Sequence, residues 1–211
     1  MTLGDIKEDI TNFVNEALRE NFNQNSDGEY DASATDLDNE IQAVLDDLSK
    51  LDALVATDDT QTLSLGDTYL AYPTGFRSPV SIVLINSSGA RQAPLEKLPG
   101  GQEQYEELRD NDSATGEPEW YSEFDDKFWL WRPPGGSFTS EIKYYINHPK
   151  GTLTNILFGD DFKQAILFGT TYFKALFSLR HRDIANWRPA YLEERAKMEL
   201  EVPLQPHISK G

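Results

Sequence analysis

The chain has 211 residues, enough for one large domain or two small layers, and carries 36 Asp/Glu against 19 Lys/Arg for a formal net charge of −17. It has no cysteine, which excludes disulfides, thiolate zinc sites and thiol catalysis together. No apolar run reaches the roughly 20 residues that span a bilayer, and the acidic start MTLGDIKEDI lacks the basic region of a secretory signal, so a soluble intracellular protein is expected.

Residues 5–20 predict a helix, with Ile6, Ile10, Phe13, Val14 and Leu18 on one stripe, Asp5 as cap and Glu8 three residues on. Residues 23–35 are polar and acidic and read as a flexible loop or local disorder. A second helix starts near Thr35 and Asp36; Leu37, Ile41, Val44, Leu45, Leu48, Leu51 and Leu54 form its apolar stripe. Its other face carries Asp38, Glu40, Asp46, Asp47 and Asp52.

From Leu63 the period becomes that of strands. Residues 69–72 extend up to Pro73, 80–85 form a buried strand, and 92–95 return beside it. A short helix covers 103–109. Lys127–Trp131, the Pro133-Pro134-Gly135-Gly136 turn and Ser140–Ile146 read as an aromatic β-hairpin. A mostly apolar, hence central, helix follows Asp160-Asp161, with either Asp as its N-cap, and runs to Leu179. Ile184 to Leu200 form a last helix that restarts at Arg188 with Pro189 in its first turn. The tail after Leu200 has two prolines and no period.

Helices at both ends around a run of strands indicate an α+β fold. The expected architecture is a helical bundle from residues 1–62 and 150–200, an antiparallel β-sandwich-like insertion at 63–149 and an extended tail at 201–211.

Motifs for chemistry are sparse. There is no phosphate-loop or dinucleotide fingerprint, no nucleophile elbow and no metalloprotease spacing among His148, His181 and His207, so no cofactor, metal or enzymatic activity is expected. Asp125-Asp126 and Asp160-Asp161 are paired carboxylates, and Trp120, Tyr121, Trp129 and Trp131 are able to stack on sugars, which leaves a carbohydrate-binding β-sandwich as the rival reading. Both Asp pairs also suit plain turns and helix starts. Charge is uneven: residues 1–62 hold 16 Asp/Glu and 3 Lys/Arg, residues 63–211 hold 20 and 16. A solvated acidic helix face is the simpler explanation. Such a surface disfavours gripping nucleic acid but suits a conduit through which DNA slides.

A run of segments resembles the head–tail adaptor (connector, neck) proteins of tailed bacteriophages. These are Tyr72-Pro73-Thr74-Gly75-Phe76, Pro94-Leu95-Glu96, Tyr105 to Arg109, Gly116 to Tyr121, Leu130 to Pro134, Tyr144 to Pro149 and Trp187 to Glu193, in that order over about residues 63–200. The resemblance implies a non-enzymatic virion protein of the neck, assembled in the host cytoplasm. It implies a ring, commonly dodecameric, that docks on the portal protein and carries a tail or stopper protein while genomic DNA passes through. It also suggests that the tail reaches the portal, with Val202, Leu204 and Ile208 as apolar anchors. Trp129 and Trp131 are candidate partner-interface residues, and Asp46, Asp47 and Asp52 a candidate channel face. A cellular adaptor or chaperone acting through its helices is a further reading.

Overall fold

A computed structural model describes residues 3–31, 33–112, 114–150 and 156–201. The chain divides into two compact units, Met1–Leu54 with Asn147–Gly211 and Val55–Ile146. The fold is α+β.

The first unit is helical. It contains α1 (Leu3–Leu18), α2 (Asp38–Leu48), α4 (Lys163–Phe177) and α5 (His181–Glu201); α3 (Gly101–Asn111) belongs to the other unit. Helix α4 packs against α1, α2 and α5, as its nearly all-round apolarity predicts. Ile6, Ile10 and Val14 of α1, Ile41, Val44 and Leu45 of α2, and Ala165 and Ile166 of α4 are all buried. Gly169 lets α4 approach its neighbours: a β-carbon there would lie 2.8 Å from Val44 Cγ2 and 2.8 Å from Tyr191 Cε2.

Several local expectations need correction in this unit. Helix α1 already includes Leu3, so Asp5 lies inside it rather than capping it. Within 23–35, the described residues are tied down by hydrogen bonds. Asn23 is fully buried; its backbone N–H donates to Asp36 Oδ2 at 3.0 Å, its Oδ1 accepts from the Asp36 N–H at 2.9 Å, and its Nδ2 donates to Thr11 at 3.1 Å. Asn25 Oδ1 accepts the N–H groups of Asp27 and Glu29, folding an Asx turn. The polarity that suggests disorder is here an internal hydrogen-bond supply. Helix α2 ends at Leu48, passes through a 3-10 turn at Ser49–Leu51 and stops at Asp52, whose φ is 60°. Asp160 and Asp161 form a 3-10 turn, and α4 has no side-chain cap. Helix α5 runs through Pro189 without restarting, because Trp187 and Tyr191 hold it on α1 and α4 on either side of the proline.

The second unit is a sandwich of two sheets. In the first, β8 (Phe138–Ile146) is central, antiparallel to β4 (Phe76–Asn86) on one edge and to β1 (Val55–Asp58) and β2 (Thr62–Leu63) on the other. In the second, the order is β3 (Tyr69–Ala71), β7 (Lys127–Trp131), β6 (Trp120–Phe124) and β5 (Glu96–Lys97), with only the β5–β6 pair parallel. Leu63, Ile82, Leu84, Ile142 and Tyr144 of the first sheet meet Leu70, Tyr121, Phe128 and Leu130 of the second. Alternation along β8 produces this: Ser140, Ile142 and Tyr144 are buried while Lys143 is exposed. Residues 91–95 do return beside β4, through Gln92 to Leu84 and Leu95 to Ile82 backbone bonds.

The expected hairpin between 127–131 and 140–146 does not form. Strand β7 pairs with β6 through a two-residue turn at Asp125-Asp126, both at positive φ (52° and 54°), while β8 belongs to the other sheet. Such a turn matches strand twist. Pro133 and Pro134 lack the N–H a ladder needs, and the segment instead crosses between sheets, held by Gly116 to Pro133 and Gly135 to Gly116 backbone bonds. The units meet in sequence at 54/55 and 146/147, whereas the strand period placed the change at 62/63 and 149/150. The difference arises because Leu48, Leu51 and Leu54 continue the leucine stripe of α2 in the sequence up to Val55, where β1 begins.

Candidate partner-binding surfaces

The outer face of the second sheet is aromatic and only half covered. Residues alternate along β7, so Phe128 and Leu130 enter the sandwich while Lys127, Trp129 and Trp131 point outward. Helix α3 lies over one end of this face, where Trp131 is buried with Leu98 and Tyr105. Gln102 of α3 and Ser122 of β6 are hydrogen-bonded there at 3.2 Å. Trp131 is thus a core residue, only 6% exposed. Two residues back, Trp129 packs against the edge of this cluster and is half-buried. Its ring lies 5.4 Å from Tyr69 and 5.8 Å from Tyr105, and its Nε1 donates to Phe124 O at 3.1 Å. The Lys127 ammonium sits 4.9 Å from the Tyr69 ring and 5.7 Å from Trp129. Tyr69 and Phe124 are exposed at 44% and 55%. The open end of the sheet therefore presents Tyr69, Phe124 and Trp129, an arrangement of amphipathic rings common at protein interfaces.

The acidic residues expected to act together are in different situations. Asp47 accepts from the Tyr191 hydroxyl at 2.7 Å, from Arg195 Nε at 3.0 Å and from Lys50 Nζ at 3.0 Å. Burial alone pushes its carboxyl up, but the bonds from Tyr191 and Lys50 and the Arg195 and Lys50 charges outweigh that and hold it below the usual range. Burial first, then the bond to Asp47, raises the Tyr191 phenol. Asp46 accepts from Gln42 at 2.9 Å and pairs with Lys150 at 3.5 Å. Asp52 is exposed at the end of α2.

This pattern extends through the bundle. Lys163 pairs with Asp9 at 2.6 Å, Lys174 with Glu40 at 3.2 Å, and Arg180 with Glu20. Cations of α4, α5 and their connecting turn thus answer much of the acidity of the N-terminal helices. Sequence patterning shows the acidic excess but not these partners, which are over a hundred residues away.

His148 is buried and hydrogen-bonded: its backbone N–H donates to Ser49 Oγ at 2.9 Å, its Nε2 accepts from the Leu157 N–H at 3.2 Å, and its ring stacks on Phe158. It fastens the entry to the second half of the bundle.

The other candidate carboxylates occupy turns. Asp125 and Asp126 are the exposed tip of the β6–β7 hairpin, and Asp160 and Asp161 the exposed 3-10 turn before α4. Val202, Leu204 and Ile208 lie outside the described residues. Among the described residues no group of three or more His, Asp or Glu is arranged to hold a metal ion, and no helix is long and apolar enough to cross a membrane.

The two units present an aromatic sheet face in one and charged helix faces in the other. The family model described as SU10 adaptor protein matches residues 1–202. The chain belongs to that family, a family of phage head–tail adaptors. No curated protein matches it.

Proposed function

We propose that the protein is one subunit of an adaptor ring in the virion neck, which docks on the portal and carries the tail or a stopper protein while DNA passes through its centre. The family match over residues 1–202 carries this reading, since a phage adaptor is a structural virion component. The aromatic face at Tyr69, Phe124 and Trp129 supports it, because rings this exposed favour burial against a partner. In this reading Trp129 contacts a neighbouring virion protein, and Val202, Leu204 and Ile208 anchor the tail on the portal. The channel-facing acids are Asp46 and Asp52, with Asp47 shaping the helix that presents them. Their charge keeps DNA from adhering. Assembly takes place in the host cytoplasm. The carbohydrate reading gains nothing from the paired carboxylates, which sit in turns.

The test is co-purification with the portal protein of the same genome, viewed by negative-stain electron microscopy. A ring of added density beneath the portal, lost when residues 201–211 are deleted, is the expected result. A bare portal with this protein remaining separate would overturn portal docking.

A further inference from the structure

Two faces of the helical bundle have no partner among the described residues of that unit. On α5, Arg182, Ala185, Arg188, Pro189 and Leu192 are all exposed. At about 100° per residue they share one third of the helix circumference, opposite Ile184, Trp187 and Tyr191. Leu192 is 47% exposed and Leu200, further along the same face, 88%. A helix packed on one side only is normally polar on the other, so this outward apolar stripe calls for cover.

Charges on the two faces are complementary. Arg182 and Arg188 make no ion pair and no side-chain hydrogen bond with a described residue, unlike Arg180 and Arg195 of the same region. On α1, Glu8, Asn12 and Glu16 are exposed at intervals of four residues and so form one outward face. Neither glutamate is ion-paired with a described residue, although Asp9 between them holds Lys163. What remains after the internal pairs are formed is thus segregated: acidic on α1, basic and apolar on α5. The glutamates are about 12 Å apart along the axis and the arginines about 9 Å, a mismatch long side chains absorb.

We propose that α5 of one subunit packs against α1 of a second copy, Arg182 and Arg188 facing Glu8 and Glu16, with Ala185, Pro189 and Leu192 buried at the contact. Every copy carries both faces. The contact joins different surfaces, so copies associate head to tail, the arrangement a closed ring requires. This assignment rests on the ring reading above and names the surfaces that build it.

The test uses two full-length variants, Glu8→Arg/Glu16→Arg and Arg182→Glu/Arg188→Glu, compared with the wild type by mass photometry, alone and with portal. All four sites are exposed, and an unchanged thermal midpoint confirms folding. Wild-type multimers are expected, each variant weakening association at least tenfold. An equimolar mixture of the two variants restores it, because both wild-type and doubly reversed contacts are then attractive. Multimers that survive either reversal, or variants that the mixture does not rescue, overturn this interface while leaving the ring reading intact. A wild type that stays monomeric both alone and with portal overturns both.

Discussion

The Tyr191 hydroxyl donates to Asp47 Oδ2 at 2.7 Å, joining the middle of α5 to the last turn of α2. Tyr191 is 2% exposed and Asp47 also holds Arg195, so the contact is a charge-assisted bond in a partly closed setting. Tyr191→Phe keeps the ring and removes the donor, and should cost roughly 1–3 kcal/mol in urea unfolding. An unchanged midpoint would show that the bond contributes nothing.

The same carboxyl sets an acid-side dependence. Its folded pKa lies below the ordinary value, so the folded chain binds this proton less readily than the unfolded one. Its contribution is complete above the usual carboxylate range, near pH 4, and is lost as pH falls through the lower folded value. Asp47→Asn should therefore flatten stability against pH below about 4 relative to wild type. Parallel curves for the two proteins would remove Asp47 from the account.

Gly169 is where α4, α2 and α5 come closest. Alanine gains about 1 kcal/mol in helix propensity, but its methyl would meet Val44 and the Tyr191 ring at 2.8–2.9 Å. Overpacking of about 1–3 kcal/mol against a β-branched side chain and a tethered ring wins. Gly169→Ala should lower the thermal midpoint, with partial recovery when Val44→Ala is added. A raised midpoint in the single variant would contradict the close approach.

At the β6–β7 turn, Asp125 and Asp126 adopt φ of 52° and 54°, a region that Asn and Gly occupy more cheaply. Asp125→Asn with Asp126→Gly should stabilise the sandwich by about 0.5–1 kcal/mol. Loss of stability in this double variant would mean that the turn is not of this type.

Trp131 and Trp129 separate structure from contact. Trp131→Ala opens a cavity under α3 and should cost about 3–5 kcal/mol. Trp129→Ala, half-buried at the open end, should unfold closer to wild type yet weaken virion assembly in complementation. Equal losses of stability for the two would place both in the core.

The legible parts of the sequence were those with a single period. The stripes of Ile6, Ile10 and Val14 and of Ile41, Val44 and Leu45, and the buried run 80–85, each describe one face of one element. β1 is not legible because Leu51 and Leu54 prolong the stripe of α2 up to its first residue, Val55. The hairpin expectation fails because the aromatic runs 127–131 and 140–146 carry no mark of which sheet they join, while the positive-φ pair Asp125-Asp126 turns β7 onto β6. Of the candidate surface, Trp129 and Trp131 share a strand face, and only the position of α3 distinguishes them. The loop at 23–35 looks disordered by composition, since composition does not reveal that Asn23 and Asp36 satisfy each other. The engagement of Asp47 was likewise out of reach, being formed with residues 144 and 148 positions later in the chain.

The adaptor role is tested most directly by electron microscopy of lysates from phage in which this gene is disrupted. Capsids without tails and tails without capsids are expected, with joined particles restored by the wild-type chain supplied in trans. Intact tailed particles in the absence of the protein would contradict it.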